Sequence, residues 1–233
     1  MYKGFQDTYA NEQYKGFPKL IHNMNNAAYG YSGLKYHLDA AYASSALWID
    51  IISDNRWYGS VTKNASVVAF NNLPTVQFSA SQSMSAAFPM ALTKNMCVAF
   101  VYQKLANSGG NRNVVLHDGN DTLDNLRLRY LTSTMGIYSG DGTVLLSTVD
   151  DTNVHIAVMA SGIGDASIIV DGVSKISTGI WESGNIAWNT LGWALGANSI
   201  NGHIAEILIF DNKFFNTDCI NLCNNINKKY AIY

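Results

Sequence analysis

Residues 166–177 read Ala-Ser-Ile-Ile-Val-Asp-Gly-Val-Ser-Lys-Ile-Ser. Asp171-Gly172 stands between two runs of apolar and β-branched residues, and that arrangement predicts a tight antiparallel hairpin. Both central residues of the favoured two-residue turn need a positive φ, which Asp and Gly tolerate well. Outward from the hairpin, short apolar runs keep alternating with Gly, Asn and Asp. They predict strands at Leu34–Asp39, Ala46–Ile52, Ser66–Phe70, Thr75–Ala80, Met96–Lys104, Val114–His117 and Leu126–Tyr130. Further strands are expected at Met135–Ser139, Val144–Thr148, Val154–Ala160, Trp193–Leu195 and His203–Phe210, with Asp141-Gly142 as a second turn. One helix closes the series. Asn216 or Thr217 is placed to cap it, Asp218 falls in its first turn, and Lys228 and Lys229 lie in its last. Ile220, Cys223, Ile226 and Tyr230 recur at helical spacing and mark its packing face. Many strands and one terminal helix predict an all-β, two-sheet antiparallel sandwich.

Composition bounds the function. The 233 residues are 48% hydrophobic and 14% charged, with a net charge near −2, against about 25% charged for an ordinary soluble domain. The length suits one large β domain, or at most two small ones. No basic stripe is present, which argues against a nucleic-acid partner. The longest apolar runs, such as Met96–Tyr102, fall far short of the ~18 residues of a membrane helix, as does Ala205–Phe210, which Glu206 interrupts. Cys97, Cys219 and Cys223 are too few for a disulfide framework, and Cys219 and Cys223 share a helical face suited to packing. His22, His37, His117, His155 and His203 lack the spacing of a zinc site, and no cofactor is expected. The first nine residues, Met1 to Tyr9, contain no signal-like apolar core, so synthesis in a reducing cytoplasm is expected.

Residues 1–32 differ from the rest. They are rich in Tyr, Asn and Gly, and Tyr2-Lys3-Gly4-Phe5 recurs as Tyr14-Lys15-Gly16-Phe17. Two copies of four residues do not make a repeat architecture. Either the recurrence is chance, or 1–32 is an arm that docks on neighbouring subunits through Tyr2, Phe5, Tyr14 and Phe17. The remainder, 33–233, is the sandwich.

Within it a set of motifs resembles a known family. Gly33-Leu-Lys-Tyr-His-Leu-Asp39-Ala40 resembles the opening G-L-x-x-x-L-D-A strand of concanavalin A-like, laminin-G-like jelly-roll domains. Leu47-Trp48-Ile-Asp50 followed by Ser53-Asp54-Asn55 is similar to their W-x-D-x-S-x-N segment. Pro74 to Met84 stands where F-D-G-x-D-D-Y is usual, with Ser79, Ser81 and Ser83 in place of its aspartates. Ile168 to Gly172 matches the L-Y-V-D-G hairpin, and Leu195-Gly196 with Asn201 to Phe210 the G-x-I-A-E-V-x-I-Y strand. Asn216-Thr-Asp-Cys with Asn227-Lys-Lys-Tyr230 resembles the closing L-S-D-A-E…K-Y. The resemblance implies two curved antiparallel sheets with a ligand groove on the concave face. Its members include glycan-binding modules, glycosidases, adhesion domains and bacteriophage structural proteins, so fold alone leaves function open.

The residues speak against catalysis. Glycoside hydrolysis needs two facing carboxyl groups, about 5–5.5 Å apart for retention. The chain has only Glu12, Glu182 and Glu206, and no E-x-D-x-x-E run. Glu206 reads as a structural position. Gly30-Tyr-Ser32-Gly33 misses the nucleophile elbow, and neither Gly162-Ile-Gly164 nor Ser108-Gly-Gly-Asn completes a nucleotide-binding loop.

Binding is the remaining chemistry. Trp48 and Trp193 lie in apolar strand patterns and read as core, while Trp57-Tyr58 and Trp181 stand beside polar residues in loops. Those three are the candidates to stack on a sugar or fill a protein interface, packing on their own sandwich being the alternative. Asp118, Asn120 and Asp121 offer oxygen ligands suited to calcium, without the order or closing glutamate of an EF-hand, so a solvated turn is the better reading. Asp50, Asp54 and Asn55 admit the same two readings. The leading expectation is a non-enzymatic structural or adhesive virion protein, decorating a capsid or associated with a tail, homo-oligomeric and in contact with other virion proteins. The alternative is a carbohydrate-binding module recognising a cell-surface glycan.

Overall fold

A computed structural model of the chain describes residues 27–79, 82–93, 95–105, 116–117, 127–131, 134–139, 142–147, 152–162, 165–177, 186–192 and 201–233. In chain order the strands are β1 (Ala27–Ala28), β2 (Tyr31–Ser32), β3 (Leu34–Ala43), β4 (Leu47–Asp50), β5 (Arg56–Gly59) and β6 (Thr62–Val67). A 3₁₀ turn (Val68–Phe70) precedes β7 (Leu73–Phe78), β8 (Ser83–Leu92), β9 (Met96–Lys104), β10 (Leu116–His117), β11 (Arg127–Leu131), β12 (Thr134–Ser139) and β13 (Gly142–Ser147). Then follow β14 (Val154–Gly162), β15 (Asp165–Val170), β16 (Val173–Ser177), β17 (Ile186–Gly192), β18 (Gly202–Phe210) and a helix, α1 (Asn216–Tyr230). The expected all-β jelly-roll with one C-terminal helix is the fold observed.

Hydrogen-bonded neighbours run β10-β17-β8-β5-β4-β3-β18-β9-β14-β15-β16, with β7 also on the β18 edge and β6 on β7. The path folds back on itself at β3, which pairs with β18 through residues such as Tyr36 and Asp39 and with β4 through Leu38 and Ala43. One layer is therefore β3-β18-β9-β14-β15-β16 and the other β4-β5-β8-β17-β10. Between them lies a single apolar core that takes Trp48, Trp57, Met84, Met90, Trp188 and Leu191 from the second layer and Val98, Phe100, Met159, Ile168 and Ile207 from the first.

The first layer is buried on both faces, which accounts for its unbroken apolar runs. Along β9, Met96, Val98, Phe100 and Tyr102 enter the inter-sheet core, while Cys97, Ala99 and Val101 face α1. Cys219, Leu222, Cys223, Ile226 and Tyr230 complete this second core from the helix, and all three cysteines are buried free thiols within it. The cap differs from expectation: Phe215 occupies the N-cap position, and its N–H donates to Asp218 Oδ2 at 3.0 Å. The Asn216 carboxamide instead accepts from Ser174 Oγ at 2.9 Å and ties the helix start to β16. Tyr29 and Tyr31, at the end of the span read as an arm, pack on the helix-side core, with the Tyr31 and Phe214 rings 4.9 Å apart. The hairpin forms as predicted, with Asp171 at φ +50° and Gly172 at φ +75° between β15 and β16.

At Gly202 the absence of a side chain lets β18 lie against β9. A Cβ there would stand 2.1 Å from the Gln103 carbonyl oxygen, a backbone atom held in the sheet. Gly202→Ala is expected to lower stability by about 2 kcal/mol through overpacking, read as a fall in urea midpoint with an unchanged m-value.

Candidate functional site

Helix α1 covers the outer face of the first layer, and among the described residues no helix covers that of the second. There β5 alternates with period two. Trp57 pairs with Trp48 across β4 and with Ala86 across β8, and Trp57 is 0% exposed. Tyr58 points the other way and is 50% exposed. Trp57 is thus corrected from a loop residue to a core residue: its strand pairing on both sides turns it inward, where it cannot stack on a ligand. Trp188, also fully buried, joins it from β17. Trp48 is core as expected.

Outside, register aligns Tyr58 with Ser85 of β8 and Ser85 with Thr190 of β17, a lateral row of one aromatic ring and two hydroxyls. Ser85 is exposed and Thr190 half-buried, its hydroxyl donating to Asn189 Oδ1 at 2.8 Å. Beside the row, β8 bulges: Ser85 pairs with Thr190 and Met90 with Trp188, so four residues of β8 span one of β17. Asn55 fixes this bulge, donating from Nδ2 to the Phe88 carbonyl at 2.8 Å and accepting the Phe88 N–H at 3.3 Å. Phe88 is left 72% exposed. A half-exposed phenol, a second exposed ring and a set of short hydroxyl and amide side chains are the groups that hold a polyol: apolar faces for its C–H surface and donors and acceptors for its hydroxyls. Ser85, Phe88 and Thr190 were not legible as site residues, because the strands carrying them were not.

Trp181 and Trp193, the calcium candidates Asp118, Asn120 and Asp121, and the docking candidates Tyr2, Phe5, Tyr14 and Phe17 lie outside the described residues. Asp50 is spent on its own turn: Oδ1 accepts the His37 N–H at 2.8 Å and the Ile52 N–H at 3.0 Å, and Oδ2 accepts the Ser53 hydroxyl. Burial raises its carboxyl above its ordinary value despite these bonds.

Glu206 occupies the other polar centre, beneath α1. A bulge at Ala205 puts Glu206 on the helix-facing side of β18, where it is 1% exposed. Its Oε1 accepts from His37 Nε2 at 2.6 Å, while Oε2 accepts the Tyr29 and Tyr230 hydroxyls at 2.8 and 2.9 Å and the Lys229 ammonium at 3.1 Å. Burial by itself would raise the Glu206 carboxyl, but His37, Lys229 and Tyr29 more than reverse this and hold it down to about 2. Burial beside that carboxylate pushes both tyrosine hydroxyls far up, so they stay protonated donors.

His37, Asp39 and Glu206 present ligand atoms within 4.8 Å of one another, the spacing of a metal site. The Lys229 ammonium, however, already bridges Asp39 Oδ2 at 2.8 Å and Glu206 Oε2, and supplies the positive charge a metal would bring. Held ionised and sealed from solvent, Glu206 is neither a proton donor nor a reachable nucleophile. It cross-links the N-terminal segment, β3, β18 and α1.

No protein-family model matches the sequence, and no curated protein is similar to it. Solved structures are similar in fold. Trypanosoma rangeli sialidase matches with a TM-score of 0.63 at 10% identity over 84% of this chain, which spans about a third (33%) of the sialidase. Domain 4 of AbnA, a GH43 extracellular arabinanase of Geobacillus stearothermophilus, in complex with arabinotriose, matches with a TM-score of 0.59 at 12% identity, covering 82% of this chain and 98% of that domain. A botulinum neurotoxin type C structure, described for interaction with two ganglioside molecules, matches with a TM-score of 0.58 at 12% identity, over 83% of this chain and 51% of that one. At these identities the likeness defines the fold, a two-sheet β-sandwich.

Proposed function

We propose that this chain is a non-catalytic, carbohydrate-binding β-sandwich that recognises a cell-surface glycan on its uncovered sheet. The observation that carries the reading is the Tyr58–Ser85–Thr190 row, an aromatic ring and hydroxyls on the outer face of the second layer, which no helix covers among the described residues. Two of the neighbours in fold are described with sugars or gangliosides, which supports glycan recognition over the virion role. Carriage on a phage particle has no counterpart among those three. The non-catalytic part rests on Glu206, whose carboxylate is consumed by four donors away from the open face.

Glycan-array screening followed by calorimetry, with and without calcium, tests the proposal. A glycan is expected to bind, and Tyr58→Ala is expected to weaken it at least tenfold, the equivalent of losing one stacked ring, without changing the thermal midpoint by more than a few degrees. Full affinity in Tyr58→Ala would remove this face from the reading. Hydrolysis of the bound glycan would remove the non-catalytic assignment.

A further inference from the structure

We infer that a second saccharide site, selective for neutral sugars, lies at the opposite side of the molecule, in a cavity between the C-terminal end of α1 and the hairpin turn at Asp171. This rests on the glycan-binding reading and adds a site and a ligand class to it. The cavity is about 380 Å³, within the range of small-ligand pockets and large enough for one or two sugar units. Gln103, Asn153, His155, Asp171, Ile232 and Tyr233 line it.

The turn does more than reverse the chain. Its positive-φ geometry turns the Asp171 carboxylate back onto β14, where Oδ1 accepts the Ile156 N–H at 2.9 Å and Oδ2 accepts from His155 Nδ1 at 2.6 Å. In that contact the imidazole N–H is the donor and the carboxylate oxygen the acceptor. The carboxylate stays 24% exposed, and each oxygen keeps a second lone pair for a ligand hydroxyl. Gln103 donates from Nε2 to the Thr152 carbonyl at 2.8 Å, which fixes its amide plane at the rim. Tyr233 is anchored through its hydroxyl, 3.1 Å from Asn224 Oδ1 and 3.3 Å from the Cys223 sulfur, and its ring forms one wall. Two planar amides, a carboxylate and an imidazole around an aromatic wall match the paired hydroxyls and apolar C–H face of a sugar.

Charge selects the class. Among the described residues no lysine or arginine lines the cavity, and Asp171 brings a carboxylate side chain to it. An anionic sugar or a phosphate would meet that carboxylate with no lysine or arginine among the described lining residues to offset it, which favours a neutral ligand.

The test is a ¹H–¹⁵N correlation titration of the full chain with D-glucose, D-galactose, L-arabinose and, separately, N-acetylneuraminic acid. At least one neutral sugar is expected to shift the amides of Asn153, His155, Gly172 and Tyr233, with N-acetylneuraminic acid leaving them unmoved. Asn153→Ala and Asp171→Asn are each expected to weaken that binding about tenfold, the loss of one hydrogen bond or one charge-assisted one. Both variants are expected to fold, since Asn153 is exposed and Asn tolerates the positive φ at 171; far-ultraviolet circular dichroism checks this. Shifts confined to the Tyr58 face overturn the cavity site and leave the proposed function standing. N-acetylneuraminic acid bound in the cavity overturns the charge argument. Absence of shifts at either place with every sugar overturns the inference, and glycan binding at the Tyr58 face then stands or falls on the array alone.

Discussion

Glu206→Ala is expected to lower the unfolding free energy by about 3–5 kcal/mol, the cost of removing one partner from a buried ionic cluster. The variant leaves Lys229 facing Asp39 alone and strips an acceptor from His37, Tyr29 and Tyr230 at once. These groups come from β3, α1 and the turn between β1 and β2, so the loss loosens three attachments to one strand. Glu206→Gln is expected to fall between the variant and the native protein, because a neutral amide accepts through one oxygen and cannot balance the ammonium. Acid dependence gives an independent reading. The native carboxyl is held from an ordinary 4.5 down to about 2, so the unfolded chain takes up its proton first as pH falls. The stabilisation is therefore complete above the ordinary carboxylate range and drains away as pH drops from there towards about 2. Urea midpoints of native and Glu206→Gln proteins should converge over that interval. A gap that stays constant with pH would show that Glu206 contributes packing and no charge.

The layer beneath the helix was legible because its strands are built from β-branched and aromatic residues. Met96–Lys104 and Val173–Ser177 are observed with the predicted bounds, and the Asp171-Gly172 turn with its predicted conformation. The opposite layer was illegible for a physical reason. Strand β8, Ser-Met-Ser-Ala-Ala-Phe-Pro-Met-Ala-Leu, is poor in β-formers and contains Pro89. The proline is tolerated because it falls in the bulge between Ser85 and Met90, where β17 offers no pairing partner. Strand β5 follows Asp54-Asn55 and ends in Gly59, which reads as loop, and β17 is interrupted by Asn189. Strand β8 pairs with β5 on one side and, across a long stretch of sequence, with β17 on the other, and only the inter-sheet core, with Trp57, Met84 and Trp188, makes them strands. Ser66–Phe70 shows the reverse case: the apolar run ends in a 3₁₀ turn, with the strand just before it at Thr62–Val67. The site followed the same division. Tyr58 could be named from its neighbours, but without a strand there was no alternation to separate it from Trp57. Asp171 could be placed in a turn, whereas its cavity partners His155, Gln103 and Tyr233 come from separate elements.

Trp57 and Tyr58 make the sharpest contrast, since one bond of backbone separates opposite roles. Trp57→Ala is expected to lose about 3–5 kcal/mol, the range for emptying a large buried aromatic site in a core that relaxes only in part. Its register partner Trp48 and the Met84 and Trp188 side chains of the same core are held by sheet pairing and cannot close the gap. Among the described residues the Trp57 indole N–H has no hydrogen-bond partner. A buried donor left unpaired opposes folding, so Trp57→Phe discards an unfavourable group together with part of the ring and is expected to cost only about 1–2 kcal/mol. Tyr58→Ala removes a half-exposed ring from the open face and is expected to cost less than about 1 kcal/mol. Urea unfolding followed by far-ultraviolet circular dichroism ranks the three variants without relying on tryptophan emission. Parity between Trp57→Ala and Tyr58→Ala would mean that β5 does not hold the alternation that turns Trp57 inward, and the binding face built on Tyr58 would lose its foundation.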